Sequence, residues 1–476
     1  MVKAARGYRS ALRNSRSATP RTKLAPMSRR APQRISRRAF QRSAAATAVG
    51  IVAVPGNVFA AVPIAQSTLE RSEARREELV ELLKRLVAVR SQSGESAEEA
   101  QAIVTDYLGG LPYSVEPSAD VPSRLSDHPE FMPPNPPGDG PFVNVVAVPR
   151  MNRPAPFGVF AHIDTEAVYD GWTTDPYAMT RVGKRLYGLG SADDKGGIAA
   201  MLVAASILAE QRGPLPTVMS LHGKGGGSRG SLPVFERFAR RGTRFDAMLY
   251  SHPAETGHGL ADVKNVVQGS LDLTLEVTGW RGEPLEMGGP ESAPYDTGGD
   301  AVRAAWSVIE RLRQTAFAGQ LVNAGEFRGG DRVGAVPETA RARIRVLFEG
   351  DATWRELLAN AQQDMDRHLA DLGGEPGYSG TLVQDGLATN FGAVRWDSTW
   401  ARGVRDAIGD VTGTPPNAYP NHYAGDIRYP IRLLDAPAFG IGSLGGNFYG
   451  PNEWVDEDDL VRLVAVIVET MHRWAA

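Results

Sequence analysis

His162 and Asp164 stand two residues apart at the end of the apolar run Phe157-Gly158-Val159-Phe160-Ala161. Alternate residues of an extended chain share a side, so an imidazole and a carboxylate are presented together. Further along, Gly188-Leu189-Gly190-Ser191-Ala192-Asp193-Asp194-Lys195-Gly196-Gly197 carries two more carboxylates on a glycine-rich turn. Such groups, delivered to separate strand ends above a sheet, converge in the way a divalent metal requires. The chain has no cysteine, so its metal ligands must come from His, Asp, Glu or Tyr.

The elements that must position these groups follow from periodicity. The run Phe157–Ala161 reads as a buried strand, and the alanine-rich segment Ile198–Leu208 as the helix after the turn. Leu69, Leu79, Leu82, Leu83, Leu86 and Val87 recur at helical spacing between Ser67 and Val89, and a second helix is expected over Glu95–Tyr107. The proline-rich residues 114–141 read as a loop covering the surface. Strands are expected at Phe142–Val148, Thr217–Leu221 and Asp246–Tyr250, with a helix over Leu232–Arg240. Strands alternating with helices give an α/β layer with a mainly parallel sheet.

From Gly269 the pattern changes. Leu271, Leu273, Leu275 and Val277 alternate with polar residues, the period of a half-exposed antiparallel strand. Helices over Asp300–Arg313 and Trp354–Leu372, with strands over Ala340–Phe348 and Gly380–Val383, complete a small α+β unit inserted in the first. The α/β pattern then resumes at Trp396–Ile408 and ends in a helix over Asp456–Trp474. The expected organisation is an N-terminal segment (1–60), a catalytic domain in two parts (67–269 and 385–476) and the inserted domain (270–384).

Charge bears on partners. Thirteen of the 52 basic residues lie in the first 42 positions, and no acid precedes Glu70. The remainder carries 39 basic against 55 acidic residues, which argues against nucleic acid or an anionic membrane as a partner. The basic stretch Arg29–Arg42 precedes a short Ala- and Val-rich run and the small-residue site Val58-Phe59-Ala60-Ala61. That order is a cleavable signal peptide. Ser36-Arg37-Arg38-Ala39-Phe40 resembles the twin-arginine signature, so the mature protein is expected in the periplasm or outside the cell.

Taken together, several motifs resemble the family-twenty metallopeptidases, which include aminoacylases, carboxypeptidase G, carnosinase-type dipeptidases and the acetylornithine and succinyl-diaminopimelate deacylases. The matching residues are His162-x-Asp164, Gly171-Trp172-x-x-Asp175-Pro176-Tyr177 and Leu186-Tyr187-Gly188-x-Gly190-x-x-Asp193-Asp194-Lys195-Gly196. Val336-Pro337-Glu338, Gly425-Asp426-x-Arg428 and Gly450-Pro451-Asn452-Glu453 continue the series. The resemblance implies a zinc-aminopeptidase-like α/β domain interrupted by a ferredoxin-like α+β lid or dimerisation domain. It also implies a homodimer through that domain, a small-molecule or peptide substrate and a two-metal amidohydrolase site. In that site a bridging Asp is shared, and a Glu beside a ligand Glu activates water.

The departures fall on the chemistry. Leu221–Ser231 should hold the Glu-Glu pair and contains no acid, Tyr449 stands where a ligand His is expected, and His252 replaces an acid. His162, Asp193 and His252 then form a two-His, one-carboxylate set for one divalent ion, zinc being the first candidate, while the second ion keeps only Asp193. Asp164 would orient His162. Lys224, Glu166, Glu255 and His222 are the candidates to replace the missing base, while a lyase or cyclase on this scaffold would use His252, Tyr449 or Lys224 for proton transfer. Lys224 and Arg229 flank a glycine run suited to an anionic group, and Arg428 resembles the family's substrate-side or structural arginine. His258, His422 and Tyr423 are further cleft candidates, and Asn452 and Glu453 are expected to fix the loop carrying Tyr449. The expected activity is hydrolysis of an amide bond in a small peptide or N-acyl amino acid. A lyase or cyclase, or a binding protein that keeps the cleft, remain open on the same scaffold.

Overall fold

The computed structural model describes residues 64–92, 97–134, 137–151, 155–223, 227–282, 298–330 and 335–476. The N-terminal segment expected to be a signal peptide (1–60) and Lys224 lie outside them. Among the described residues no helix is long and apolar enough to cross a membrane.

The strand Phe157–His162 is wholly buried and lies at the middle of an eight-stranded mixed sheet. It pairs in parallel with Thr217–Leu221 on one side and Ala247–Ser251 on the other, and Ala438–Ile441 extends the parallel set. Continuous burial on both faces explains why these strands read as apolar runs rather than alternating ones. Helices cover both faces. Lys195–Glu210, Arg76–Ala88, Thr399–Thr412 and Glu457–Ala475 share one core with the sheet. Ser231–Arg241 and Arg428–Leu434 pack on the opposite face with Phe160, Met219 and Met248. Gly197 lets the helix after the turn approach the sheet, since a Cβ there would fall 1.8 Å from the Ser251 carbonyl oxygen.

A second hydrophobic core lies within residues that interrupt this layer. Val266–Thr278, Ala301–Gln314, Leu321–Gly329, Thr339–Phe348, Trp354–Asp371 and Ser379–Thr389 follow one another as strand, helix, strand, strand, helix, strand. The strands form an antiparallel path in the order second, third, first, fourth, the ferredoxin-like arrangement, and both helices pack on one face through Leu271, Leu273, Val308, Ile344 and Met365. The side chain of Asp300 caps the first helix by accepting from the Val302 and Arg303 amides, and Thr353 with Glu356 forms a capping box on the second.

Two sequence expectations need correction, and one strand was not expected. Residues 114–141 are not all loop: Tyr113–Asp120 is an edge strand paired antiparallel with Phe142–Pro149. Its Pro117 and polar residues hid it, and an edge position is where a sheet tolerates proline. Leu321–Gly329 is a strand with no apolar signature because it is a half-exposed edge. The helix expected over Ser67–Val89 is two helices, Ile64–Ala74 and Arg76–Ala88. The chain turns at Arg75, whose guanidinium pairs with Glu78 and Glu210.

Candidate metal centre and cleft

His162 ends its strand, and its ring is oriented from behind. Nδ1 lies 3.0 Å from the Asp164 carbonyl oxygen and 3.4 Å from Asp164 Oδ1. A donor at Nδ1 leaves the Nε2 lone pair facing forward, 2.8 Å from Asp193 Oδ1. His252 follows the neighbouring strand and presents its ring from the other side. Its Nδ1 lies 2.8 Å from the Pro253 carbonyl oxygen, and its Nε2 is 3.0 Å from the same Asp193 oxygen. All three side chains are buried, and their ligand atoms lie within 4.8 Å of one another. Two imidazole nitrogens and one carboxylate oxygen converging at this separation fit a divalent ion.

Asp193 is held by a partner that sequence reasoning assigned elsewhere. The buried Glu453 carboxylate accepts the amides of Gly190, Ala192 and Asp193, each at 2.9 Å. Glu453 therefore fixes the turn that carries Asp193, while Asn452 ties the Tyr449 loop to Gly171 and Thr173. Burial, reinforced by Asp193, pushes the Glu453 carboxyl up to about 7. The buried Asp164 carboxylate accepts the Gly223 amide at 2.8 Å, and His222 Nδ1 lies 3.2 Å from its other oxygen. Despite burial, His222 and His162 hold Asp164 far below the usual carboxylate range. Gly223 is required here, because a Cβ would sit 2.6 Å from that of His162.

The two imidazoles differ electrostatically. Burial opposes charge on His162, but Asp193 and Asp164 outweigh it and hold its pKa well above the ordinary value. Burial and the Lys264 ammonium push His252 down to about 3, so His252 offers a neutral ring. Lys264 was invisible in sequence. It is fully buried, its Nζ lies 2.6 Å from His252 Nδ1, and burial lowers its pKa to about 8 against the pull of Glu255 and Asp194.

Above the triad lies a cleft of about 340 Å3 whose walls include Glu166, Tyr250, Glu255, His422, Tyr423, Asp426 and Tyr449. Met132, from the proline-rich segment, and Leu387, from the ferredoxin-like unit, also line it. The Met132 amide donates to Ser228 Oγ, which in turn donates to the Met132 carbonyl, so the segment is clasped to the end of the glycine loop. His422 and Tyr423 therefore reach the cleft as expected. His258 does not: it is mostly exposed and pairs with Asp262.

Both arginines proposed to touch substrate are turned inward. Arg428 is fully buried and donates to the Ala424 and Gly425 carbonyls and the Tyr429 hydroxyl. Arg229 is equally buried, with its guanidinium over the Phe142 ring. Neither lines the cleft; they brace it from within.

An α/β sheet interrupted by a ferredoxin-like unit, with His and Asp gathered at strand ends below a cleft, defines a metallohydrolase-like scaffold. Residues 158–473 match the model of peptidase family M20/M25/M40, and the chain belongs to that family. It is 30% identical over 328 residues to a succinyl-diaminopimelate desuccinylase of Methylobacterium radiotolerans, covering 67% of this chain and 81% of that one. Its fold is similar to that of aminopeptidase PepT from Bacillus cereus, with a TM-score of 0.63 at 16% identity over 84% of this chain and 99% of that one. It is also similar to the Bacillus subtilis YXEP protein, described as a dinuclear metal binding peptidase, with a TM-score of 0.58 at 14% identity over 84% and 98%. Family membership supports amide-bond hydrolysis and a divalent metal.

Proposed function

We propose that this protein is an exported, metal-dependent amidohydrolase or peptidase that cleaves an amide bond in a small peptide or N-acyl amino acid. The reading places one divalent ion, zinc first among candidates, on His162, Asp193 and His252. The convergence of those three buried side chains below the cleft carries the reading. One ion is favoured over two because Leu221–Ser231 contains no acid and Tyr449 replaces a ligand histidine. A glycine cannot bind a cation, and a neutral phenol is a poor ligand.

When bound, the ion would polarise the amide carbonyl and lower the pKa of water. The chain's own residues do the rest. Asp164 and Glu453 fix His162 and Asp193, while Met132 and Leu387 wall the cleft and limit its width. The test is a hydrolysis screen over dipeptides and N-acyl amino acids with zinc, manganese or cobalt added. Turnover that requires metal and disappears in His162→Ala supports the reading. Absence of turnover with every metal, alongside measurable ligand binding, would move the protein to the class of binding proteins.

A further inference from the structure

The missing glutamates leave the cleft without its expected proton carrier, and most carboxylates around it are committed elsewhere. Glu453 is spent on three backbone amides, and Asp164 on the Gly223 amide. Asp426 Oδ2 accepts from Ser231 Oγ at 2.5 Å, and its other oxygen lies 3.4 Å from Arg428. Asp194 is buried beneath the turn and accepts the His162 amide.

Glu255 is placed differently. It follows His252 by three residues on the loop after the strand Ala247–Ser251, with φ +61. A left-handed backbone is uncommon for a residue other than glycine and clusters at functional sites. Here it turns the side chain back toward the triad, with Oε1 3.8 Å from His252 Nε2, the nitrogen aimed at the metal position. Glu255 borders the His162–Asp193–His252 cluster without belonging to it. Tyr449, itself a left-handed residue (φ +63), lines the same cleft as Glu255. The carboxylate thus stands beside the metal ligand His252 and on the wall of the cleft.

We propose that Glu255, beside Tyr449 in the cleft, is the proton-transferring carboxylate of this site, taking over from a different strand end the task for which Leu221–Ser231 has no acid. The proposal rests on the hydrolytic reading above. As the water oxygen bonds to the amide carbon, one water O–H bond breaks and its proton passes to Glu255. As the C–N bond then breaks, Glu255 returns that proton to the leaving nitrogen, giving an acid and an amine.

The test compares wild type with Glu255→Gln, Glu255→Asp and Tyr449→Phe on the best substrate of the screen, with bound metal and acetohydroxamate affinity measured on the same samples. Acetohydroxamate gives up an O–H proton when it chelates, so it reports the neighbouring base without turnover. Glu255→Gln should keep wild-type metal content and a nearly unchanged KM. Its kcat should fall roughly 10²–10⁴-fold, the range of general acid–base catalysis, and acetohydroxamate should bind more weakly. Glu255→Asp should recover part of the rate, and Tyr449→Phe should lose less than Glu255→Gln. A drop in metal content would make Glu255 a ligand and overturn the proposal, as would unchanged kcat in an active enzyme. If the wild type hydrolyses no amide, the hydrolytic reading fails by itself, and equal acetohydroxamate binding by wild type and Glu255→Gln then overturns the proposal too.

Discussion

Asp164→Asn removes a buried charge while keeping size and shape, and the structure says what should follow. The main partner of His162 Nδ1 is the Asp164 carbonyl oxygen at 3.0 Å, which asparagine retains; the carboxylate oxygen is farther away at 3.4 Å. Loss of a group that orients a metal-ligating histidine costs about 10–100-fold in metal affinity. With the carbonyl contact preserved, the expected loss lies at the low end, about tenfold or ~1.4 kcal/mol. The stability cost is larger. The carboxylate is fully buried against two imidazoles and the Gly223 amide, and breaking such a buried pair costs about 3 kcal/mol or more. The sign with pH follows from the depressed carboxyl. Its stabilisation is fully present above the unfolded-state value of roughly 4 and is lost as pH falls below it, so the gap between wild type and variant should narrow in acid. Calorimetric titration with zinc, together with thermal unfolding from neutral pH to pH ~3, measures both effects. A folded variant with far more than 100-fold weaker binding would make the carboxylate itself a ligand. Equal stability at neutral pH would refute the buried-charge account.

His252→Ala should abolish tight metal binding, whereas His258→Ala, at an exposed residue paired with Asp262, should leave metal content unchanged; elemental analysis of both purified variants distinguishes a ligand from a bystander. Arg428→Ala should lower stability by on the order of 3 kcal/mol, because the fully buried guanidinium donates to the Ala424 and Gly425 carbonyls and the Tyr429 hydroxyl. An altered KM without any loss of stability would contradict that placement. Replacing Arg37 and Arg38 with lysine should hold the precursor in the cytoplasm, read by fractionation; unchanged export would refute the twin-arginine reading.

The sequence made the centre of the fold legible because burial on both faces of the sheet demands uninterrupted apolar strands, and Phe157–Ala161 is one. His162 and His252 could be grouped because each ends or follows such a strand and strand ends lie together, and the family resemblance added Asp193, which sits on the turn before the helix Lys195–Glu210. The edges were harder to read. Tyr113–Asp120 and Leu321–Gly329 bury too little on either face to carry a pattern. Direction was harder still. Arg428 and Arg229 have the chemistry of substrate-binding residues, yet the chain folds them inward, and nothing in their spacing reveals it. Glu255 lies three residues past His252 in sequence, but only a left-handed backbone turns it toward the cluster. Lys264 reached His252 through the packing of a short neighbouring strand, a contact with no local signature.

The central proposal is one divalent ion on two histidines and one aspartate. Metal analysis of the purified protein combined with X-ray absorption at the metal edge tests it most directly. The account predicts one equivalent per chain, with two imidazole nitrogens among its ligands and its signal lost in His252→Ala. Two tightly bound equivalents per chain, or a coordination shell without imidazole, would contradict it.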